Sequence, residues 1–296
     1  MLGQIRACVR VPVLFFCTCI PALGQGVGTL TAAEGRVELV RGTTTYAVAP
    51  GVKLQNGDML ATDPKGQAQI EFDDGTLLNL SRGSRAFLLG AQSGEEGVAL
   101  QSGWAKFARV KTAKASPYRY LTPLARIGSA AAIGVLRVGE ESCEMFVESG
   151  SARLVELSKS GAPGTGRDVK GGEFAVRRAG QPLTVSSRPS ADFLKAMPGY
   201  FRDDLPVLIS RVKGRSAEPA REHEATYAEV EAWLKASAPI RRNLVARFEN
   251  RAKDGEFRKK LVENLKEHPE WDRILFPEKY EKDSEKSEKS QKEKGQ

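Results

Sequence analysis

Between Glu34 and Leu80 the chain repeats one pattern: a short run with apolar side chains at every second position, a glycine-containing polar turn, then alternation again. Arg36-Val37-Glu38-Leu39-Val40, Gln67-Ala68-Gln69-Ile70-Glu71-Phe72 and Thr76-Leu77-Leu78-Asn79-Leu80 have the period of two that a half-buried strand needs. Between them stand Asn56-Gly57-Asp58, Pro64-Lys65-Gly66 and Asp73-Asp74-Gly75, where glycine allows the chain to reverse. No helical stripe fits this block, so it predicts a β-domain.

In order, Glu34-Gly35-Arg36-Val37, Leu54-Gln55-Asn56-Gly57-Asp58-Met59-Leu60-Ala61-Thr62 and Ile70 to Leu80 resemble the opening of a FecR-type domain. Tyr120-Leu121-Thr122-Pro123-Leu124-Ala125-Arg126-Ile127-Gly128-Ser129 is similar to the family's threonine-proline strand and following turn, with Ile127 and Ser129 replacing its usual arginine and threonine. The resemblance continues through Val147 to Val155 and Val169 to Phe174. It implies a mainly β fold, solenoid-like or a flattened sandwich. The best understood members relay signals from outer-membrane receptors to sigma factors through a cytoplasmic segment and a membrane span. This sequence shows neither, so that role is not carried over.

Met1 to Gly24 reads as an export signal, with Arg6 and Arg10 ahead of an apolar run from Val11 to Leu23. The run carries Pro12 and Pro21 and is shorter than the about 20 apolar residues of a spanning helix, so cleavage after Gly24 is expected rather than an anchor. Cleavage removes Cys8, Cys17 and Cys19, leaving Cys143 without an internal disulfide partner. Its place in Cys143-Glu144-Met145-Phe146-Val147 suits core packing; a reactive or dimer-forming thiol is the alternative. Losing Arg6 and Arg10 also lowers the formal charge of +8 by two. Export argues against nucleic acid, so the excess faces solvent, an acidic envelope polymer or an acidic protein.

The strand grammar runs over residues 25–187, the expected FecR-like β-domain. Gly35 to Val40 followed by Val52 to Asp58 is echoed by Gly150 to Val155 followed by Asp168 to Glu173, which suggests repeated strand-turn units. Residues 188–222 are expected to hold short helices and a linker. Ser190 caps a first helix with Phe193, Leu194 and Met197, Asp203 or Asp204 opens a second through Val212, and Lys213 to Glu222 links onward.

Residues 223–280 form a helical C-terminal region. Thr226-Tyr227-Ala228-Glu229 is a capping box, Ser237 and Pro239 begin the next helix, and Asp254 begins a third. Trp271, Ile274 and Leu275 are expected to clamp onto these helices, and residues 281–296, alternating Lys, Glu and Ser, to be a disordered charged tail.

Chemistry is sparse. Gly161 to Asp168 spaces glycines like a phosphate loop, but Arg167 stands for the lysine and Asp168 for the magnesium-binding hydroxyl, so a hairpin is expected. His223 and His268 lack metal-ligand partners at suitable spacing, and no nucleophile elbow occurs, so neither metal, cofactor nor catalytic residue is assigned. Asp58, Glu71, Asp73 and Asp74 could supply a carboxylate pair for glycoside chemistry, although the turns need such residues anyway. Arg241, Arg242, Arg247, Arg251, Arg258, Lys259 and Lys260, with Lys253 among them, form the densest basic region. They are a solvated helix face or a contact for an anionic partner.

The leading expectation is a periplasmic or otherwise exported, non-enzymatic scaffold, binding or signalling-related module. Its partner would be an envelope protein or anionic envelope polymer, with no nucleic acid and no membrane span after cleavage. The alternatives are an enzyme acting on cell-wall polysaccharide through the turn carboxylates, and a signalling module working through a separate membrane partner.

Overall fold

The computed structural model describes residues 26–90, 97–109, 118–158, 160–215 and 217–280; the export signal expected over 1–24 and the tail expected over 281–296 lie outside them. Within these residues sixteen strands join into one continuously hydrogen-bonded sheet. The first eight are β1 (Gly26–Glu34), β2 (Val37–Arg41), β3 (Thr44–Ala47), β4 (Lys53–Gln55), β5 (Met59–Thr62), β6 (Gln67–Phe72), β7 (Leu77–Leu80) and β8 (Arg85–Leu89). Then follow β9 (Gly97–Arg109), β10 (Tyr118–Leu121), β11 (Ala125–Val138), β12 (Ser142–Leu157), β13 (Pro163–Lys170), β14 (Phe174–Arg178), β15 (Thr184–Ser186) and β16 (Ala220–Glu224).

The sheet folds over on itself because β9, β11 and β12 are long and each serves both halves. The early part of β9 pairs with β8, whereas Gly103 to Arg109 pair with β11. Ser142 to Phe146 of β12 pair with β14, and Ser151 to Leu157 pair with β13. The changeovers fall at Gly103 and Gly150, with φ of 98° and 76°, and at a bulge in β11 between Gly128 and Ala131. A Cβ at Gly150 would lie 2.3 Å from the Ala131 carbonyl oxygen, so no larger residue fits that bend.

Alternation then sorts the side chains. Leu39, Leu60, Leu88, Leu100, Ile127 and Leu154 of one half meet Leu30, Ile70, Leu78, Phe107, Leu136 and Met145 of the other in one buried core. Strand neighbours are antiparallel, apart from β9 beside β10 and an isolated bridge between Val52 and Ala217. The sheet therefore grows by hairpins rather than by stacked parallel coils. The mainly β fold with a small helical region stands as expected; the echoed segments are alike as strand-and-turn elements.

The remaining chain covers both outer faces. Ser190 caps α1 (Ala191–Ala196) by accepting from the Phe193 N–H at 3.1 Å, and Phe193, Met197 and Phe201 pack on Val135 and Phe174 of the second half. The helix expected from Asp203 is only α2 (Ile209–Val212). Tertiary bonds hold the intervening backbone out of a regular helix: the Leu208 N–H donates to Glu71, Gln69 Nε2 donates to the Pro206 carbonyl at 2.7 Å, and Lys106 donates to the Phe201 and Asp203 carbonyls.

The expected linker likewise ends in a strand, β16, which pairs with β3 and becomes the outermost strand on that side. Arg36 to Glu222 at 2.7 Å, and Thr43 and Thr44 donating to Glu224, fix it there. The capping box of α3 (Tyr227–Leu234) forms as expected, followed by α4 (Ala238–Phe248), α5 (Gly255–Glu263) and α6 (Asp272–Leu275). Trp233, Leu244, Phe248, Phe257, Trp271 and Leu275 bury against Val40, Met59, Phe87, Leu89 and Leu121 of the first half. These sheet residues alternate with the inward-facing ones, so first-half strands are apolar on both faces. Ile274 is half-buried at the edge of this cluster, and the clamp expected of Trp271, Ile274 and Leu275 is in place.

Candidate interaction surface

Three of the four candidate carboxylates are taken by the protein's own donors. Asp58, fully buried, accepts from Arg41 Nε at 2.8 Å and Nη2 at 2.7 Å, and from the Gln55 N–H at 2.8 Å. Glu71 receives the Leu208 N–H. Asp74 caps its own turn through the Thr76 N–H at 2.9 Å and pairs with Arg109 at 2.8 Å. Asp73 is exposed on its turn. Strand alternation is expected to put Glu71 and Asp73 on one face, yet Glu71 lies under residues 206–208 and Asp73 stays outside.

The basic helices are mostly turned onto the protein itself. Arg247 of α4 donates to the Gly42, Gly57 and Val40 carbonyls at 2.5, 2.6 and 3.0 Å, and its burial pushes the guanidinium down to about 10. It still carries its charge near neutrality and staples the helix to two turns of the sheet. Arg241 pairs with Glu270 at 2.8 Å, Arg251 reaches the Ala225 carbonyl at 3.3 Å, and Arg258 reaches the Leu275 carbonyl at 2.5 Å. Lys260 pairs with Glu263 at 2.7 Å, whereas Lys259 acts on the same carboxylate without a close ion pair among the described residues. The Arg242 side chain lies outside the described residues.

The other chemistry-bearing residues are structural. Cys143 is fully buried, and desolvation pushes its thiol up to about 11, so it packs as a small apolar side chain. His268 is buried with Nε2 3.0 Å from the Tyr227 hydroxyl, and His223 sits 2.8 Å from Glu229. No group of three His, Cys, Asp or Glu residues converges for a metal ion among the described residues. The glycine-rich segment 161–168 is a hairpin turn and the start of β13.

Two features escape the sequence. Lys106 of β9 is completely buried, with Nζ 2.8 Å from the Phe201 carbonyl, 2.9 Å from that of Asp203 and 2.8 Å from Glu148. Its only signal is a lysine between Ala105 and Phe107, which alternation assigns to an exposed face. The second is the uneven treatment of the sheet edges. Pairing with β16 covers β3, and Ala217 bridges Val52 just before β4. By contrast β13 pairs only with β12 among the described residues, and most of its side chains are exposed.

These features define a helix-wrapped, mainly β protein in which β13, β15 and β16 each pair on one side alone among the described residues. Residues 58–153, from the turn before β5 into β12, match the family model described as FecR protein, so the chain carries a FecR domain. The match leaves out β1 to β4 and everything after Arg153. Two crystal structures of a "putative anti-sigma factor" from Parabacteroides distasonis are similar to it at 15% and 13% identity, each with a TM-score of 0.38 over 47% of this chain. The chain spans 63% and 64% of their lengths. No curated protein matches it. No helix among the described residues is long and apolar enough to cross a membrane.

Proposed function

We propose that this protein is a non-enzymatic, signalling-related interaction module of a bacterial envelope, exported by its N-terminal segment, whose FecR-type sandwich takes an extended peptide by strand addition. In this reading residues 25–187 form the recognition unit and 188–280 its cover. The supporting observation is β13, an eight-residue strand paired on one side alone among the described residues with most of its side chains exposed; β15 and β16 also end the sheet, with three and five residues. The internal use of Asp58, Glu71 and Asp74 supports a binding role over the polysaccharide-cleaving one.

A proline scan of β13 tests it, since successive backbone N–H groups point alternately toward β12 and outward. A photo-crosslinker at Thr165 in intact cells should give a discrete partner band. The band should be lost on proline substitution at the outward-pointing positions while the thermal melt is preserved. Crosslinks from the helical face alone, or a band indifferent to every folded proline variant, would remove strand addition at β13.

A further inference from the structure

Where residues 209–215 cross the end of the sandwich they enclose, with Thr29, Gly51 and Lys53, a pocket of about 290 Å³. Ile209 and Val212 give it an apolar wall, and Lys53, Lys213 and Arg215 give it charge. The two sides are fixed to each other. A Cβ at Gly51 would lie 2.7 Å from the Arg215 carbonyl oxygen, and Val52 bridges Ala217 just beyond. Lys53 Nζ is steadied by a neutral acceptor, Thr29 Oγ1, at 2.8 Å.

None of these three cations has a carboxylate partner among the described residues, and the lining contains no acid. Grooves elsewhere on the described surface differ: one holds Glu263 and Asp272, another Glu140, Glu231 and Glu267, a third Glu144. The charge that the sequence concentrates on the helices is largely matched internally, whereas here it is left over. Ile209 in its wall is 40% exposed, and Val207, two residues earlier in the chain, is 67% exposed.

We propose that this pocket binds a phosphate group carrying an apolar chain. Lys53, Lys213 and Arg215 hold the phosphate, and Ile209 and Val212 cover the first carbons of the chain. Three cations with no acid suit a phosphate better than a single carboxylate, and the adjacent apolar wall separates this ligand from free phosphate. The site is independent of whatever the β13 edge takes.

Calorimetry on the full chain with three probes tests it: inorganic phosphate, monomeric dihexanoyl phosphatidic acid, and phosphatidylcholine vesicles doped with phosphatidic acid. The soluble lipid should bind at one site and phosphate about tenfold more weakly. Lys213→Glu with Arg215→Glu should weaken both by about tenfold or more, whereas Ile209→Ser should weaken only the lipid. All three positions are exposed, so melting temperatures should hold. Vesicle binding that follows the same variants extends the site to a lipid headgroup in a bilayer. The proposal fails if neither soluble probe binds, if phosphate binds as tightly as the lipid, or if the variants leave affinity unchanged. It also fails if vesicles alone bind, indifferent to Ile209→Ser.

Discussion

Lys106 Nζ lies 2.8 Å from Glu148 Oε2, and the lysine side chain has no exposure at all. The same ammonium holds the Phe201 and Asp203 carbonyls, so one group joins β9, β12 and the segment that crosses them. Lys106→Met strands two carbonyls and a carboxylate, and should cost about 3 kcal/mol in urea denaturation. Glu148→Gln leaves the lysine its two carbonyls and should cost under about 1 kcal/mol. Equal losses in the two variants would mean that the ion pair, not the carbonyl clamp, carries the contact.

The turn carboxylates separate structural from catalytic use. Asp58→Asn breaks the two-point contact with Arg41 in a buried setting and should cost about 3 kcal/mol. Asp73→Asn, on an exposed turn, should stay within about 0.5 kcal/mol. A wall-degrading activity abolished by Asp73→Asn at unchanged stability would overturn the binding reading.

Acid should loosen the helical cover. Burial among the helices holds the His268 imidazole below its ordinary value, with Lys235 and Arg241 acting the same way and Glu270 opposing them. A base depressed in the folded state contributes stability above its unfolded value, near 6.5, and loses it as pH falls toward the folded one. Trp233 and Trp271 fluorescence in urea should therefore report a lower midpoint below about pH 6.5. His268→Gln should flatten that dependence.

The thiol behaves in the opposite direction. Cys143 is pushed up to about 11 by burial, so folding stability is intact below the unfolded value and declines as pH rises toward the folded one. Alkylation at pH 8 should be negligible in the folded protein and complete in urea. Stability should drop by about 2–3 kcal/mol more between pH 8 and 11 than it does in Cys143→Ala.

Local rules carried the fold where neighbours in sequence settle the structure. The strands around Val37, Ile70 and Leu78, the Ser190 and Thr226 caps and the Asp254 start follow from side-chain period and capping chemistry alone. They failed where partners lie far away. Residues 203–208 have a helical apolar spacing, but Glu71, Gln69 and Lys106 bind their backbone and keep it out of a helix. Ala220 to Glu224 look like a linker until β3 offers an unpaired edge. Arg247 looks like part of a solvated face because nothing in its own helix reveals the three carbonyls above it. The pocket at Lys53 escapes for the same reason, since Lys213 and Arg215 come from residues about 160 positions away.

The pairing of β16 with β3 sets Ala220 opposite Ala47. A ribosome that has made the first 187 residues has therefore made a sandwich whose β3 edge still lacks its partner, with Val40, Met59, Phe87 and Leu121 still uncovered by the helices. Native closure waits for the final third of the chain, which makes synthesis order itself a hazard. Until Trp271 and Leu275 arrive, the unfinished molecule presents the strand edges and apolar faces on which intermolecular association begins.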